Sequence, residues 1–166
     1  MVSKSNKKEN RPVTIQLVRM RLDRFHLESF SEILDCYGDE AVLDLNSLVY
    51  DFKTKLHFKL DDNLVLCVLT TTVKFNSDKY KPLKDADCKL QVAALEVQYD
   101  FEVQELSSYI DESDNVNLPN LAFTTMNSLA VSTLRGIWFE KSATTYLGPR
   151  VMPIINPQLF KRDDSE

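Results

Sequence analysis

The chain has 166 residues, a formal net charge of −5 and a hydrophobic fraction of 43%. This length suits a single domain that buries its own core, and the negative charge argues against a dedicated nucleic-acid binder, because phosphate binding depends on clustered Lys and Arg. The three cysteines, Cys36, Cys67 and Cys88, form no Cys-x-x-Cys pair, so we expect reduced, mostly buried thiols in a soluble cytoplasmic protein.

The two ends of the chain are polar. Residues 1–12 form a basic segment with nothing to bury, which predicts a flexible tail and excludes a secretory signal. Its Lys and Arg side chains could contact nucleic acid, but a solvated tail is the simpler interpretation. Residues 161–166 form a second charged tail, which leaves 13–160 as one domain.

The first strand is predicted over Val13 to Asp23. Its alternation changes phase in the middle, which indicates a bulge near Leu17. The following segment, Phe25 to Tyr37, is apolar but irregular. It is either a short helix or crossover loop packed on the core, or a semi-exposed apolar lip.

Two more strands follow around a tight turn at Asp61 to Asn63. Phe52 to Leu60 alternates strictly, and its polar face is basic; this stripe is typical of a solvated sheet face, with attraction of an acidic partner as the alternative. The basic residues are Lys53, Lys55, His57 and Lys59. Leu64 to Phe75 is apolar or hydroxyl-bearing on both faces until Lys74, which predicts a central strand covered on both sides.

The fourth strand is predicted over Cys88 to Val103, after a charged hairpin loop at Asn76 to Asp87. Its phase slips near Ala93-Ala94. Its outer face is acidic, as is common at solvated sheet edges that resist aggregation. An acidic connector, Glu105 to Asn117, leads onward.

A long helix of roughly 20 residues opens at Pro119, a residue suited to the first helical turn. From Asn115 to Leu134 there is no charge, yet the stretch holds too many hydroxyl and amide groups for a membrane span. One side of the predicted helix is apolar, and we call it the apolar arc. The opposite side carries small polar groups. This pattern predicts that the apolar arc packs against a sheet and that the polar side meets another subunit. The residues expected at that subunit interface are Thr124, Ser128, Ser132 and Arg135.

The sequence offers little for catalysis. Its two histidines form no metal-binding pair, and three glycines cannot build a phosphate-binding loop. We therefore predict no enzyme activity, no cofactor and no metal site. Trp138, on the apolar arc of the helix, is predicted to be structural.

Three segments of the C-terminal half resemble the SecB chaperone family: Leu118 to Phe123, Leu134 to Trp138 and Met152 to Phe160. The resemblance implies an α+β fold, in which a four-stranded antiparallel sheet precedes one long and one short C-terminal helix. It also implies a homotetramer, a dimer of dimers, that binds unfolded polypeptides without ATP. The implied client groove is lined by Phe25, Leu27, Phe30, Leu34, Ile154, Leu159 and Phe160.

The chain departs from that family in three ways. Its second helix is short, the loop before Pro153 is long, and Ala94 lies near the place where export members carry an acidic residue that helps to dock the translocase motor. Motor binding is therefore expected to be weak or absent. Three functions stay open: a general export holdase, a dedicated chaperone of an antitoxin, and an adaptor with one folded partner.

Overall fold

A computed structural model of the protein describes residues 13–43, 48–76, 83, 91–111 and 115–155, with the side chains of 40–43 left aside. The predicted fold class is confirmed: a four-stranded antiparallel sheet is followed by a 3-10 turn and a long helix. The elements are β1 (Ile15–Leu27), α1 (Phe30–Leu43), β2 (Leu48–Lys59), β3 (Leu64–Phe75), β4 (Gln91–Val103), the 3-10 turn (Leu106–Tyr109) and α2 (Asn120–Ala143).

Some predicted segments cannot be compared with this structure. The two tails lie outside the described residues, as do most of the hairpin loop after β3 and the start of the predicted fourth strand. The short helix predicted over Ile154 to Phe160 falls mainly on 156–160, also outside, and residues 151–155 have no regular secondary structure.

The strand order is β1-β4-β3-β2, so β3 and β4 are central and β1 and β2 are the edges. We had expected β4 to behave like a solvated acidic edge, and this was wrong, because pairing with β1 on one side and β3 on the other places it inside the sheet. α2 packs on β3 and β4, where the Tyr99 hydroxyl donates to the Ala130 carbonyl at 2.8 Å.

The two faces of the sheet differ in burial. On β3, every odd-numbered residue from Val65 to Phe75 is buried beneath α2, whereas every even-numbered residue is only half-buried. We call the side away from α2 the open face. The prediction that β3 is covered on both sides therefore holds for one side within a single chain.

β1 is longer than predicted because it contains two register shifts. The first, between Leu17 and Arg19, is the predicted bulge, and the second lies between Leu22 and Arg24. The second shift restores the alternation, so that Phe25 and Leu27 pair with Leu95 and Ala93 as the last residues of β1. Assigning these two residues to an irregular crossover was wrong for this reason.

α1 confirms the helical alternative for the crossover. Ser29 accepts a hydrogen bond from the Glu32 amide, while the Glu32 carboxylate accepts one from the Ser29 amide, both at 3.2 Å. This reciprocal capping box satisfies two donors at the helix start. Ile33 and Tyr37 face the core, and Gly38 kinks the helix in a left-handed conformation, with φ 74°.

The cysteines are not all reduced thiols. Cys67 is free and buried, but Cys36 forms a disulfide, which contradicts our expectation for that residue. A disulfide depends on the separation of two Cα atoms in the folded chain, which sequence spacing does not reveal. Among the described helices, none is long and apolar enough to cross a membrane.

Candidate client-binding surface

The loop after α2, residues 144–155, is fixed to the body of the protein. Leu147 and Met152 are fully buried anchors. The Arg135 Nε donates to the Met152 carbonyl at 3.0 Å, and the Arg150 amide donates to the Ser142 hydroxyl at 3.0 Å. Two buried side chains and these two hydrogen bonds give the loop a defined path without regular secondary structure.

Tyr146 connects this loop to the start of α1. Its ring lies 5.3 Å from the Phe30 ring, and its hydroxyl donates to the Glu28 carbonyl at 2.9 Å. Burial, helped by the charge of Glu28, raises the pKa of Tyr146, so the phenol stays a neutral donor. The structure therefore brings the loop that leads to Ile154 against the start of α1, and Phe30 is the predicted groove residue that makes this contact.

Three large apolar side chains on these two segments are exposed. Phe30 at the start of α1 is 45% exposed, while Val151 and Ile154 on the anchored loop are 69% and 86% exposed. Phe30 lies in the hydrogen-bonded first turn of α1, and Val151 lies between two anchored residues. These two side chains are therefore presented without first having to be ordered, which lowers the entropic cost of binding. We call Phe30, Val151 and Ile154 the apolar rim.

The other predicted groove residues lie in different settings. Phe25, Leu27 and Leu34 are half-buried and pack against the core, which leaves them only partly available to a client. Leu159 and Phe160 lie outside the described residues.

Sequence reasoning missed Tyr146 and Val151 because both lie in a loop without periodicity. An aromatic residue two positions before Gly148-Pro149 was the only signal for Tyr146. No signal pointed to Val151.

The residues predicted at a subunit interface lie on the outer face of α2. Thr124 and Ser128 are half-buried and Ser132 is exposed, and the Ser128 hydroxyl donates to the Thr124 carbonyl at 2.6 Å. Arg135, the fourth predicted residue, is half-buried and binds the loop of its own chain. Three large apolar side chains are exposed on the same helix: Leu121, Leu129 and Phe139.

The described residues offer no constellation for metal or nucleophilic chemistry. None of their His, Cys, Asp and Glu side chains form a cluster of three or more that could hold a metal ion. Burial raises the pKa of the Cys67 thiol to about 12, so this sulfur stays protonated and unreactive near neutral pH.

Comparison with known proteins identifies the fold. No protein-family model matches the chain, and no curated protein matches its sequence. Among solved structures, the chain is similar to the SecB-like chaperone Rv1957 of Mycobacterium tuberculosis in complex with a ChAD peptide from the Rv1956 HigA1 antitoxin, with a TM-score of 0.53 and 13% identity over 85% of this chain and 90% of that one. A protein of unknown function from Streptococcus agalactiae gives a TM-score of 0.40 and 5% identity over 87% and 100% of the two chains. The first likeness shows that this chain has a SecB-like fold.

Proposed function

We propose that this protein is an ATP-independent chaperone that holds unfolded or partly folded polypeptides. The observation that carries the proposal is the apolar rim, three exposed apolar side chains on the start of α1 and on the loop that contacts it. Its support from outside the chain is the shared fold with a SecB-like chaperone whose structure contains a bound peptide. Non-specific binding of unfolded chains needs apolar surface and no precise polar site.

Two kinds of client fit this proposal. A general holdase would receive preproteins for export and pass them to the translocase motor, whereas a dedicated chaperone would hold one antitoxin. The similar structure with an antitoxin peptide favours the second kind. So does Ala94, which is almost buried on β4 where the resemblance requires an acidic docking residue.

Two of the three acidic residues on the open face of β4 are already engaged with neighbours, which leaves the exposed Glu102. Arg19 on β1 pairs with Asp100 and donates to it through Nε at 2.6 Å, and the Thr70 hydroxyl donates to Glu96 at 3.3 Å. Charge-based docking depends on unpaired rim charges that steer encounter. We therefore expect no submicromolar binding to the host translocase motor in calorimetry at moderate salt; salt-sensitive, submicromolar binding would restore the export role.

Self-association is part of the proposal. The exposed leucines and phenylalanine of α2 alternate with small hydroxyl residues that satisfy their own hydrogen bonds within the helix. Such a face lets a second helix approach closely, and we propose a homotetramer. Sedimentation at micromolar concentration tests it, and a single species near 19 kDa would contradict it. A cytoplasmic setting stays a proposal, since the Cys36 disulfide removes the argument from reduced thiols.

Client binding is tested by polar replacement of the apolar rim. Phe30→Ser with Ile154→Ser should at least halve the suppression of aggregation of denatured citrate synthase, because both side chains offer apolar area to the client. Val18→Ser is the control, since Val18 is 54% exposed, between Phe30 and Ile154, but lies at the first β1 register shift. Suppression that is unchanged in the double variant, or equally reduced in the control, would remove the rim from the binding site.

A further inference from the structure

The open face of the sheet is ordered by charge, and the strand order creates the pattern. The strand register places a basic strand at each edge, an acidic strand next to β1, and an apolar strand next to β2. The open-face residues include Arg19, Arg21 and Arg24 on β1; Glu96, Gln98, Asp100 and Glu102 on β4; Leu64, Leu66, Val68, Thr70, Thr72 and Lys74 on β3; and Asp51, Lys53, Lys55, His57 and Lys59 on β2.

The β1–β4 half of this face is neutralised at Asp100 and Arg21. Arg19 is opposite Asp100 and forms an ion pair with it, and Gln98 donates to the other Asp100 oxygen at 2.8 Å. Arg21 pairs with Asp23 and also donates to Gln98 at 3.2 Å. Arg19 and Arg21 are thus engaged with neighbours and offer little free charge to a partner.

The β2–β3 half is only partly neutralised, because Lys74 on β3 pairs with Asp51 on β2 at 2.6 Å and the charge of Lys59 acts on Asp100. Lys53, Lys55 and Lys59 are exposed, and none of them forms an ion pair with any residue that the structure describes. Lysines two positions apart in a strand are separated by about 6.7 Å. The three therefore form a strip of unpaired positive charge along one edge, which we call the lysine strip.

An apolar strip lies directly beside the lysine strip. Val68 is opposite Lys55 and Leu64 is opposite Lys59, with Leu66 between them. These β3 side chains are half-buried, and no element of the described chain covers them. Neighbouring strands are about 4.8 Å apart, so one extended segment lying along β2 and β3 would touch both strips.

We propose that the lysine strip and the apolar strip together dock an acidic polypeptide segment of another protein, in which Asp or Glu alternates with apolar residues. Carboxylates at alternate positions of an extended segment have the same spacing as Lys53 and Lys55. The apolar residues of such a segment would cover Leu64, Leu66 and Val68 on the open face. This surface is separate from the apolar rim.

A nucleic acid fits the same face less well. Glu96 and Glu102 form no ion pair with a described residue. They lie two strands away, about 10 Å from the lysine strip, and would repel a phosphate backbone that spread across the sheet. The chain as a whole also carries a net charge of −5. Three lysines beside an apolar strip match a segment that combines carboxylates with apolar side chains.

The test uses labelled peptides of about 11 residues, long enough at about 3.3 Å per residue to span the strip. One peptide alternates Glu with Val and Thr, and its twin carries Gln in place of Glu. We expect fluorescence anisotropy to show binding of the Glu peptide that weakens at least fivefold between about 50 mM and about 300 mM NaCl, and no binding of the Gln peptide. A single-stranded oligonucleotide of similar length is the nucleic-acid arm, and equal or tighter binding of it would overturn the proposal.

Two charge reversals locate the site. Lys55→Glu should weaken Glu-peptide binding about tenfold, whereas Lys141→Glu on α2 changes net charge equally and should change binding less than twofold. Leu66→Thr keeps a strand-forming residue and should also weaken binding. If Lys55→Glu leaves peptide binding intact but makes the protein self-associate, the lysines only protect a sheet edge, and the proposal fails.

Discussion

The two faces of the sheet are built from the same four strands, yet one is buried beneath α2 and the other exposes charged side chains. The face beneath α2 is closed by apolar side chains, of which Val65, Val97 and Tyr99 have no exposed surface. The open face holds charges whose neighbours are set by strand order. The stability of the buried face does not depend on which apolar side chain lies opposite which, provided that the volume is filled. The charge pattern of the open face does depend on which strand lies beside which. Hydrophobic alternation predicts the first kind of face and leaves the second undetermined.

The largest expected effect comes from the closed face. Trp138 has no exposed surface and meets the Tyr50 ring edge-to-face at 6.0 Å. Trp138→Ala should lower the free energy of unfolding by about 3–5 kcal/mol, because it removes a large buried side chain and leaves a cavity. Chemical denaturation measures this.

Phe139→Ala is the control, one residue along the same helix but 47% exposed. It should cost well under half as much in the dissociated chain, since much of its ring is already in water. Equal losses in the two variants would show that α2 does not divide into a buried and an outer face.

Asp100 tests the open face where it is most ordered. Burial alone would raise the pKa of Asp100, but hydrogen bonds from Gln98 and Arg19, with the charges of Arg19 and Lys59, lower it below its usual 3.8. A carboxylate with a lowered pKa stabilises the folded state above its unfolded pKa, and this stabilisation is lost as pH falls through the folded value. Asp100→Asn should therefore cost about 1.5–3 kcal/mol at pH 7, and the cost should shrink below pH 3.8.

Glu102→Gln provides the comparison for Asp100, because Glu102 is on the same strand and face but exposed. Its effect should stay within about 0.5 kcal/mol at neutral pH. A deficit in Asp100→Asn that persisted unchanged in acid would mean that shape, not charge, accounts for the role of Asp100.

The sequence predicted the parts of the fold that depend on local pattern. β3 was predicted with its observed bounds, and the bulge near Leu17 and the helix opening at Pro119 were also predicted. The capping box at Ser29 and Glu32 was present in the sequence but was not recognised, so α1 remained one of two alternatives. The second β1 bulge was missed because Asp23 looked like the end of a strand, although only pairing with β4 reveals that the strand continues.

The candidate sites depend on long-range contacts that no local pattern contains. Tyr146 meets Glu28 and Phe30 across more than a hundred residues of sequence. The neutralisation of Asp100 requires Arg19, which is 81 positions away. The lysine strip was visible as an alternation, but its apolar neighbour became known only through the register of β2 with β3.

Tyr99 tests the contribution of one hydrogen bond on the buried face of the sheet. Tyr99→Phe removes only the hydroxyl that donates to Ala130, and should cost about 1 kcal/mol. Burial, with Cys67 nearby, raises the pKa of Tyr99 in the folded state. The wild-type protein should therefore lose stability as pH rises above 10.0, and the Tyr99→Phe protein should lose less over the same range. Identical alkaline profiles would contradict this.

The smallest expected effect separates the stability of one chain from that of its assembly. Gly136 is exposed on α2, and a methyl group added there meets nothing within 4 Å in a single chain. Gly136→Ala should thus stabilise the dissociated chain by about 0.5–1 kcal/mol, because alanine loses less backbone entropy in a helix. If two α2 helices approach closely along this face, the same methyl group intrudes, and sedimentation should show weaker self-association.

Gly148→Ala is the opposite control: space is also open there, but φ is +67°, so alanine should destabilise the chain without changing the assembly. Gly136→Ala that left self-association unchanged would place the subunit interface elsewhere than on the outer face of α2.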